Sequence, residues 1–307
     1  MRIIFFGTPS FAVPSLTALL ESGENIISVV TQPDKRKGRD RVLSPPPVKE
    51  LAAGKGIEVL QPAHIKDPSF LDELSRMKPE IIVVVAYGKI LPHQVLKLPL
   101  HGCINVHASL LPKYRGAAPI QWAIISGEKK TGITTMLMDE GLDTGDILLQ
   151  EETDIYEDDN AETLGKRLAG MSGPLLIKTI QKIKEGSIKP VPQTGVPSYA
   201  PPLKKEAGRI QWSATAIEIF NFVRGMFPWP SAYCYLNKER IKITEVKVLE
   251  GRGMAGRIEK ADEELVVGTE KGLISIIVLQ PEGKRPMTAK EFLMGRRLKG
   301  GAFFNES

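Results

Sequence analysis

The chain opens on Met1-Arg-Ile-Ile-Phe-Phe-Gly7, an apolar run that is typical of a buried strand ending in a turn. Similar short apolar runs follow it, and they predict strands at 26–31, 57–60, 81–86, 103–106, 131–138 and 147–152. Helical patterns separate several of these runs, at 11–21, 48–53 and 161–184. Strands that alternate with helices indicate an α/β fold with an open, mostly parallel, Rossmann-like sheet that is covered by helices on both faces.

The composition changes after this alternating region. Five prolines and no helical period mark residues 189–202, which is typical of a semi-rigid linker. We therefore predict a first domain over 1–188, a linker over 189–205 and a second domain over 206–307. In the second domain, a helix at 214–227 precedes short strands at 232–236, 241–248, 256–258, 265–268 and 273–279. Short strands punctuated by glycines predict a small OB-like β-barrel.

The gross composition limits where the protein works. The chain has 307 residues, 42% hydrophobic and 25% charged, which allows each of two domains to bury a core. Its only cysteines are Cys103 and Cys234, which disfavours a disulfide framework and favours a reducing compartment. No basic and apolar leader precedes the first strand, and the apolar runs are too short to cross a bilayer. We expect a cytoplasmic monomer with no membrane partner.

The predicted strand at 103–106 leads into the first candidate site. Ligands of open α/β sheets bind at the carboxyl ends of the strands, and side chains two residues apart on a strand share a face. Asn105 and His107 are therefore expected to point into one crevice. An amide donor beside an imidazole that exchanges a proton near neutral pH suits a developing oxyanion. A capped loop after a strand is the simpler interpretation.

A second candidate lies in a turn with the sequence Met138-Asp-Glu-Gly-Leu-Asp-Thr-Gly-Asp146. Glycines bracket Asp143, whose carboxylate can orient an imidazole or a water molecule, or relay a proton. An Asx turn is the simpler interpretation of an aspartate in such a place.

A metal site is an alternative for the segment around the first candidate. His101, Cys103 and His107 are expected on one face of an extended segment. The segment has no carboxylate, and the spacing matches common zinc patterns poorly. A packed strand followed by a turn histidine explains the same residues, so we predict chemistry that needs no metal.

Two longer stretches contain these candidates. They read Asn105-Val-His-Ala-Ser-Leu-Leu-Pro-Lys-Tyr-Arg-Gly-Ala-Ala-Pro-Ile-Gln121 and Gly132-Ile-Thr-Thr-Met-Leu-Met-Asp-Glu-Gly-Leu-Asp-Thr-Gly-Asp146. Together they resemble the two signatures of the folate-dependent formyltransferase family. The resemblance implies that Asn105, His107 and Asp143 form the catalytic set. It also implies 10-formyl-tetrahydrofolate as the formyl-donor cosubstrate, no metal, and donor contacts at Ser109, Leu110, Leu111 and Pro112.

The resemblance covers nearly the whole chain and extends to the branch of the family that acts on methionyl-tRNA. Outside the signatures it is carried by Phe6-Gly-Thr-Pro-Ser10, Thr31-Gln-Pro-Asp34 and Tyr199-Ala-Pro-Pro-Leu-Lys-Lys-Glu-Ala-Gly-Arg-Ile-Gln-Trp212. It implies formyl transfer to the free amino group of initiator methionyl-tRNA, in support of translation initiation. Transfer to a sugar-nucleotide amine and hydrolysis of formyl-tetrahydrofolate would use the same catalytic set, and a module that only binds RNA is a rival of another class.

A basic run, Asp34-Lys-Arg-Lys-Gly-Arg-Asp-Arg41, follows the second predicted strand. The net charge of +5 and the pI near 9.0 suit a phosphate-rich partner, although a charge run is usually a solvated loop. The loop's place at the carboxyl edge and the family resemblance favour tRNA binding by Lys35, Arg36, Lys37, Arg39 and Arg41. Further candidates in the second domain are Arg209, Lys238, Arg240, Lys242, Lys247 and Lys284.

Overall fold

The computed structural model describes residues 1–37, 42–296, 298 and 301–304. The chain forms two compact units, and each unit combines separate stretches of sequence. The first comprises Met1–Pro119, Lys130–Asp154 and Gly165–Pro201, and the second comprises Ile120–Lys129, Ile155–Leu164 and Pro202–Ser307. The predicted domain boundaries at 188 and 206 stay predictions. Within the described residues, no helix is both long and apolar enough to span a membrane.

The strands, in chain order, are β1 Arg2–Gly7, β2 Asn25–Val30, β3 Lys35–Lys37, β4 Val42–Ser44, β5 Val59–Leu60, β6 Ile81–Val85, β7 Cys103–His107, β8 Arg115–Gly116, β9 Lys130–Leu137, β10 Ile147–Asp154, β11 Tyr199–Ala200, β12 Ala232–Leu236, β13 Glu239–Leu249, β14 Ile258–Ala261, β15 Leu265–Gly268, β16 Leu273–Pro281 and β17 Met287–Thr288. The α-helices are α1 Val13–Glu21, α2 Pro47–Gly54, α3 Pro68–Met77, α4 His93–Leu96, α5 Pro119–Ile125, α6 Ala161–Lys184, α7 Ala216–Met226 and α8 Ala289–Met294. Short 3-10 turns occur at Ser10–Ala12 and Lys205–Gly208.

The sheet of the first unit has seven strands in the order β10-β9-β7-β6-β1-β2-β5. The strands from β7 to β5 are parallel, and β9 and β10 form an antiparallel edge. Every residue of β6 is buried, as is every residue of β1 after Arg2. Strands that are buried along their whole length need cover on both faces of the sheet. The predicted mostly parallel α/β sheet is confirmed.

The sequence patterns predict no element at four short helices of the structure, α3, α4, α5 and α8. The start of α3 has a clear local signal, because the Asp67 carboxylate accepts a hydrogen bond from the Ser69 N–H at 3.0 Å and Pro68 occupies the first turn. In contrast, α4 is one turn long and cannot display a helical period. The basic loop was also incompletely predicted, since β3 and β4 pair as an antiparallel hairpin.

The sheet of the second unit is antiparallel throughout and runs in the order β12-β13-β16-β15-β14, with β17 added beside β16. Among the described residues no ladder joins β12 to β14, so closure into an OB-like barrel stays a prediction, while the predicted second domain of short β-strands is confirmed. The helix α7 begins two residues later than predicted because Thr215 forms a capping box with Glu218.

Candidate active site

The carboxyl end of β7 carries Asn105 and His107, on a strand that lies inside the sheet. Parallel β6 flanks it on one side and antiparallel β9 on the other, so that Asn105 lies between Val84 and Met136. Asn105 is half-buried, and only 5% of His107 is exposed. Ladders on both sides fix the backbone, and the strand alternation places both side chains on one face.

Asp143 joins this pair from the turn after β9. Its Oδ1 accepts a hydrogen bond from Asn105 Nδ2 at 3.4 Å, and its Oδ2 lies 3.6 Å from His107 Nδ1. The Gly116 N–H donates to Oδ2 at 2.8 Å. The structure therefore brings the three predicted residues together, although 38 positions separate Asn105 from Asp143 in the chain. We call these three residues the polar trio.

The proton positions on His107 follow from its second contact. Its Nε2 lies 3.0 Å from the carbonyl oxygen of Tyr114. A carbonyl oxygen only accepts hydrogen bonds, so Nε2 carries a proton and donates it to Tyr114, and Nδ1 is the ring nitrogen that faces Asp143. One further proton can then be held between Nδ1 and the Asp143 carboxylate. The sequence motif contains Tyr114, but nothing in it indicated this contact.

The turn between β9 and β10 directs Asp143 towards β7. The carboxylate that forms the local turn is that of Asp139, which accepts from the Gly141 N–H at 3.0 Å and from Thr144 Oγ1 at 2.6 Å. Asp143 itself has φ 52°, in the left-handed region that aspartate tolerates better than most residues. A Cβ on Gly145 would lie 1.7 Å from the carbonyl oxygen of Leu137, so only glycine fits there.

Two polar side chains, the buried Thr134 and the exposed Gln150, hold the loop that follows β7. Thr134 Oγ1 donates to the carbonyl of Ser109 at 2.6 Å and accepts from the Leu111 N–H at 3.2 Å. Gln150 Nε2 donates to the Leu111 carbonyl at 3.0 Å and to Thr134 Oγ1 at 2.9 Å. These contacts fix the loop backbone from the β9–β10 hairpin. The sequence prediction missed both residues, because neither belongs to the β7 motif.

The four predicted donor-contact residues differ in exposure. Ser109 and Leu111 are buried, at 0% and 3% exposure, and the Ser109 hydroxyl donates to the Lys113 carbonyl at 2.6 Å. Leu110 and Pro112 are half-buried. Of the four side chains, Leu110 and Pro112 are therefore the ones that present surface to a bound molecule.

The geometry gives little support to the alternative metal site. Cys103 Sγ donates towards the carbonyl of Val95 at 3.5 Å, and burial raises the pKa of this thiol to about 12. A neutral thiol turned to a carbonyl is a poor metal ligand, because thiols bind metals as thiolates. In the described part of the chain, no group of three or more histidine, cysteine, aspartate or glutamate side chains is placed to hold a metal ion.

Three of the five predicted basic residues, Lys35, Arg36 and Lys37, form the strand β3, which pairs with β4 as a hairpin. Lys35 and Arg36 lie on β3 with exposed side chains. Lys35 Nζ donates to Gln32 Oε1 at 2.9 Å. Arg39 and Arg41 lie outside the described residues, as does the side chain of Lys37. In the sheet, β2 is three strands from β7, roughly 14 Å at the usual strand spacing.

A compact polar cluster secures the base of this hairpin. Lys49 Nζ contacts both Asp34 carboxylate oxygens at 2.9 Å and donates to Gln61 Oε1 at 2.7 Å. Gln61 Nε2 in turn donates to Asp34 Oδ1 at 2.8 Å and to the Gln32 carbonyl at 2.9 Å. The hydrogen bond from Gln61, followed by that from Lys49, holds the pKa of Asp34 below its ordinary value.

Comparisons with known proteins show the family to which the chain belongs. The formyl transferase family model matches residues 1–180, and the model of the formyl transferase C-terminal domain matches residues 202–297. The chain belongs to the formyl transferase family. This chain is 57% identical over 299 residues to a methionyl-tRNA formyltransferase of Thermodesulfovibrio yellowstonii. The match covers 97% of each chain. It is 50% identical over 311 residues to one of Pelotomaculum thermopropionicum, covering 100% of this chain and 99% of the relative.

Solved structures with lower identity share the formyl transferase fold. A methionyl-tRNA formyltransferase from Clostridium thermocellum matches with a TM-score of 0.58 and 21% identity, over 80% of this chain and 93% of that one. An N-formyltransferase from Helicobacter canadensis, described in complex with folinic acid and dTDP-3-aminofucose, matches with a TM-score of 0.70 and 21% identity, over 92% and 99%. At this identity the likeness extends to the fold alone.

Proposed function

We propose that this formyl transferase moves the formyl group of 10-formyl-tetrahydrofolate to the free α-amino group of initiator methionyl-tRNA, and so supports translation initiation in the cytoplasm. The observation that carries the proposal is the polar trio at the carboxyl end of β7, in a chain that is 57% identical to a protein named for this activity. In this proposal the chain acts as a monomer and needs no metal.

The reaction itself defines what the site must do. A C–N bond forms between the α-amine and the formyl carbon, and the bond from that carbon to N10 of the folate breaks. The amine must lose a proton, and N10 must gain one. The bound donor supplies an activated formyl carbon, so the protein has to orient the reactants, stabilise charge on the formyl oxygen and move the proton.

Asn105 and His107 stabilise the charge that develops on the formyl oxygen. The Asn105 amide carries two N–H groups, and it directs one of them at Asp143, 3.4 Å away. The second N–H serves as a donor to the formyl oxygen, and His107 adds positive charge once it holds two protons. Loss of one such preorganised donor typically costs about 2.7–4 kcal/mol of transition-state stabilisation.

The pair formed by His107 and Asp143 carries the proton. Nε2 already carries a proton, which it donates to the Tyr114 carbonyl. One further proton can be held between Nδ1 and the Asp143 carboxylate, which lie 3.6 Å apart. This pair takes the proton from the attacking amine and returns it to N10 of the departing folate. Asp143 thereby orients the imidazole and also helps to accept the proton. The sequence left orientation of the imidazole and proton transfer open as alternative roles, and this proposal combines them.

The loop from Ser109 to Pro112 contacts the donor. The half-buried side chains of Leu110 and Pro112 offer apolar surface, and the backbone is held by Thr134 and Gln150. The residues therefore fit a ring system whose faces pack on apolar side chains and whose polar edges are reached by main-chain groups. In this proposal, Ser109 and Leu111 act through the backbone, because their side chains are buried.

The β3–β4 hairpin binds the acceptor. The sequence from 34 to 41 contains the cations Lys35, Arg36, Lys37, Arg39 and Arg41, and the phosphates of an acceptor stem supply the matching negative charge. The hairpin follows β2, whose carboxyl end lies at the same edge of the sheet as that of β7. A tRNA held there can extend its aminoacylated end towards the trio.

An acceptor panel tests this proposal. The purified chain is given 10-formyl-tetrahydrofolate with methionyl-initiator tRNA, free methionine, an amino-sugar nucleotide or no acceptor, and both formyl-acceptor and tetrahydrofolate are measured. We expect rapid formylation of methionyl-tRNA and no formylation of free methionine or the amino-sugar nucleotide. Transfer to the sugar nucleotide but not to methionyl-tRNA, or equal folate release without any acceptor, would replace the proposed activity by sugar formylation or hydrolysis. RNA binding without turnover in any arm would leave only a binding module.

A further inference from the structure

The proline-rich segment after α6 lies along the loops of the candidate site. Val191 and Ile147 exchange two backbone hydrogen bonds of 2.9 and 2.8 Å. The Ser198 carbonyl accepts from the Arg115 N–H at 2.9 Å, and the strand β11 pairs with β8. We call residues 191–200 the strap. Most of its residues are exposed, and the exceptions are Gln193, Ser198 and Ala200.

Gln193 makes the central contact of the strap. Its Nε2 donates to the carbonyls of Asp143 and Gly145, both at 2.8 Å. Its Oε1 accepts from Arg115 Nε at 3.1 Å and from Arg115 Nη2 at 2.6 Å. A single side-chain amide thus holds the backbone on both sides of Thr144 and the guanidinium of a residue in the β7 motif.

These contacts close a ring around the Asp143 carboxylate. Asp143 Oδ2 accepts from the Gly116 N–H, and Gly116 follows Arg115 in the chain. Arg115 then returns through Gln193 to the carbonyl of Asp143. The ring restrains the main chain and the side chain of Asp143 from opposite sides. A restraint of this kind matters because Asp143 lies 3.6 Å from His107 Nδ1, where a small displacement changes proton transfer.

We propose that Gln193 is a positioning residue for the reaction, and that its ring with Arg115 sets the place of the Asp143 carboxylate against His107. The inference rests on the proposed function, since it takes Asp143 as the group that handles the proton. It adds a residue from outside both sequence signatures, 50 positions after Asp143.

The chemistry of the site requires an amide at this position. A glutamate would keep an oxygen for Arg115, but its second oxygen would face the carbonyls of Asp143 and Gly145 with no hydrogen to donate. A methionine would keep the length of the side chain and lose both sets of contacts. Gln193→Met therefore removes all the contacts of the ring. Gln193→Glu keeps the contact with Arg115 and places an oxygen against the two carbonyls.

The test compares single and double variants in single-turnover assays with methionyl-tRNA. We expect Gln193→Met and Gln193→Glu to lower the chemical rate by about 10- to 100-fold, the scale of a misplaced catalytic group, with the KM of each substrate within about twofold. The matched charge control is Gln181→Glu, on the exposed side of α6, which should retain the wild-type rate. Thermal unfolding is recorded for every variant.

The deciding measurement is the effect of Gln193→Met in an Asp143→Asn background. If Gln193 acts through Asp143, the second substitution changes the residual rate by less than about twofold, since coupled residues are not additive. Equal losses in both backgrounds, or a normal rate for Gln193→Met alone, would overturn the inference and leave the proposed function intact. A normal rate for Asp143→Asn would instead remove the proposed catalytic role of Asp143.

If a Gln193 variant does not fold, a substitution of Arg115 tests the same ring. Arg115→Lys keeps the positive charge but cannot make the two-nitrogen contact with Gln193 Oε1. Arg115→Lys should lower the single-turnover chemical rate in the wild-type background and leave it unchanged in the Asp143→Asn background. An Arg115→Lys effect that is confined to KM, or that is equal in both backgrounds, would count against the ring in the same way.

Discussion

The polar trio and the basic hairpin lie at the same edge of one sheet, yet they are held in different ways. Contacts from several separate stretches restrain the trio, and His107 is only 5% exposed. The hairpin is secured at its base by Asp34, Lys49 and Gln61, while Lys35 and Arg36 stay exposed. The side chains of the trio thus receive more contacts from distant parts of the chain than the exposed cations of β3 do.

The contrast matches the two tasks in the proposed function. Proton transfer depends steeply on distance and angle, so its groups need fixed neighbours. Attraction to phosphates acts over about 8–10 Å and tolerates motion of long basic side chains. We therefore expect substitutions in the trio to change the chemical step, and substitutions in the hairpin to change tRNA affinity.

The largest effect is expected from Asp143→Asn. Asparagine keeps the shape and can still accept from the Gly116 N–H, but it cannot share a proton with His107. The chemical rate should fall by about 10²- to 10⁴-fold, the usual contribution of general acid–base catalysis. Single-turnover kinetics measure it, with Asp146→Asn in the same turn as the control. A folded Asp143→Asn protein with near-normal turnover would contradict the assignment.

Gly145→Ala tests whether the turn positions Asp143. The new Cβ would lie 1.7 Å from the Leu137 carbonyl oxygen, so the turn has to shift. We expect a loss of at least about tenfold in rate and of about 1–3 kcal/mol in unfolding free energy. A Cβ at Gly170, in the exposed middle of α6, would meet no described atom within 4 Å. Gly170→Ala should therefore raise stability, by about 0.5–1 kcal/mol, without a change in rate.

Thr134→Val removes the hydroxyl that holds the loop after β7. The Ser109 carbonyl and the Leu111 N–H lose a partner, which typically costs about 1–3 kcal/mol per buried group left unsatisfied. We expect the KM for the formyl donor to rise by up to about tenfold. The control is Thr179→Val, which removes a buried hydroxyl in α6 that donates to Leu175. An equal change in donor KM for both variants would argue against a special role of the loop.

Arg36→Ala should act on tRNA affinity alone. Removal of one phosphate contact lowers the slope of log K against log salt by about 0.9, and kcat at saturating tRNA should stay within about twofold. Binding titrations at several salt concentrations measure the slope. Arg76→Ala removes the same charge from α3, just before the amino end of β6 and so at the opposite edge of the sheet. The same slope change in both variants would mean that the effect is general charge rather than the hairpin.

The smallest effect concerns the base of the hairpin in acid. The folded pKa of Asp34 lies below its unfolded value, first through the Gln61 hydrogen bond and then through Lys49. The contribution of Asp34 is therefore fully present above the unfolded pKa and disappears as the pH falls through the folded pKa. Amide hydrogen exchange of β3 and β4 should accelerate only in that acid range. In Asp34→Asn the acid-dependent step should be absent, and its persistence would assign it to another group.

Much of the first sheet was predictable, because its strands are continuous apolar runs. The predicted strands at 81–86 and 103–106 begin at the first residues of β6 and β7 and differ from them by one residue at the carboxyl end, and α6 has the predicted bounds. The hairpin strand β3 was missed for the opposite reason. Lys35, Arg36 and Lys37 have no apolar alternation, and only pairing with β4 makes them a strand.

The parallel sheet, the shared face of Asn105 and His107 and, through the two signatures, the family could all be inferred from the amino-acid sequence. Side-chain alternation along a strand and burial of apolar runs are local properties, so they can be inferred without coordinates. Three further features became visible in the folded chain: the approach of Asp143 to His107, the contact of His107 Nε2 with the Tyr114 carbonyl, and the hold of Gln193 on the turn. Those contacts join residues far apart in the chain, and no local pattern encodes the distance between them.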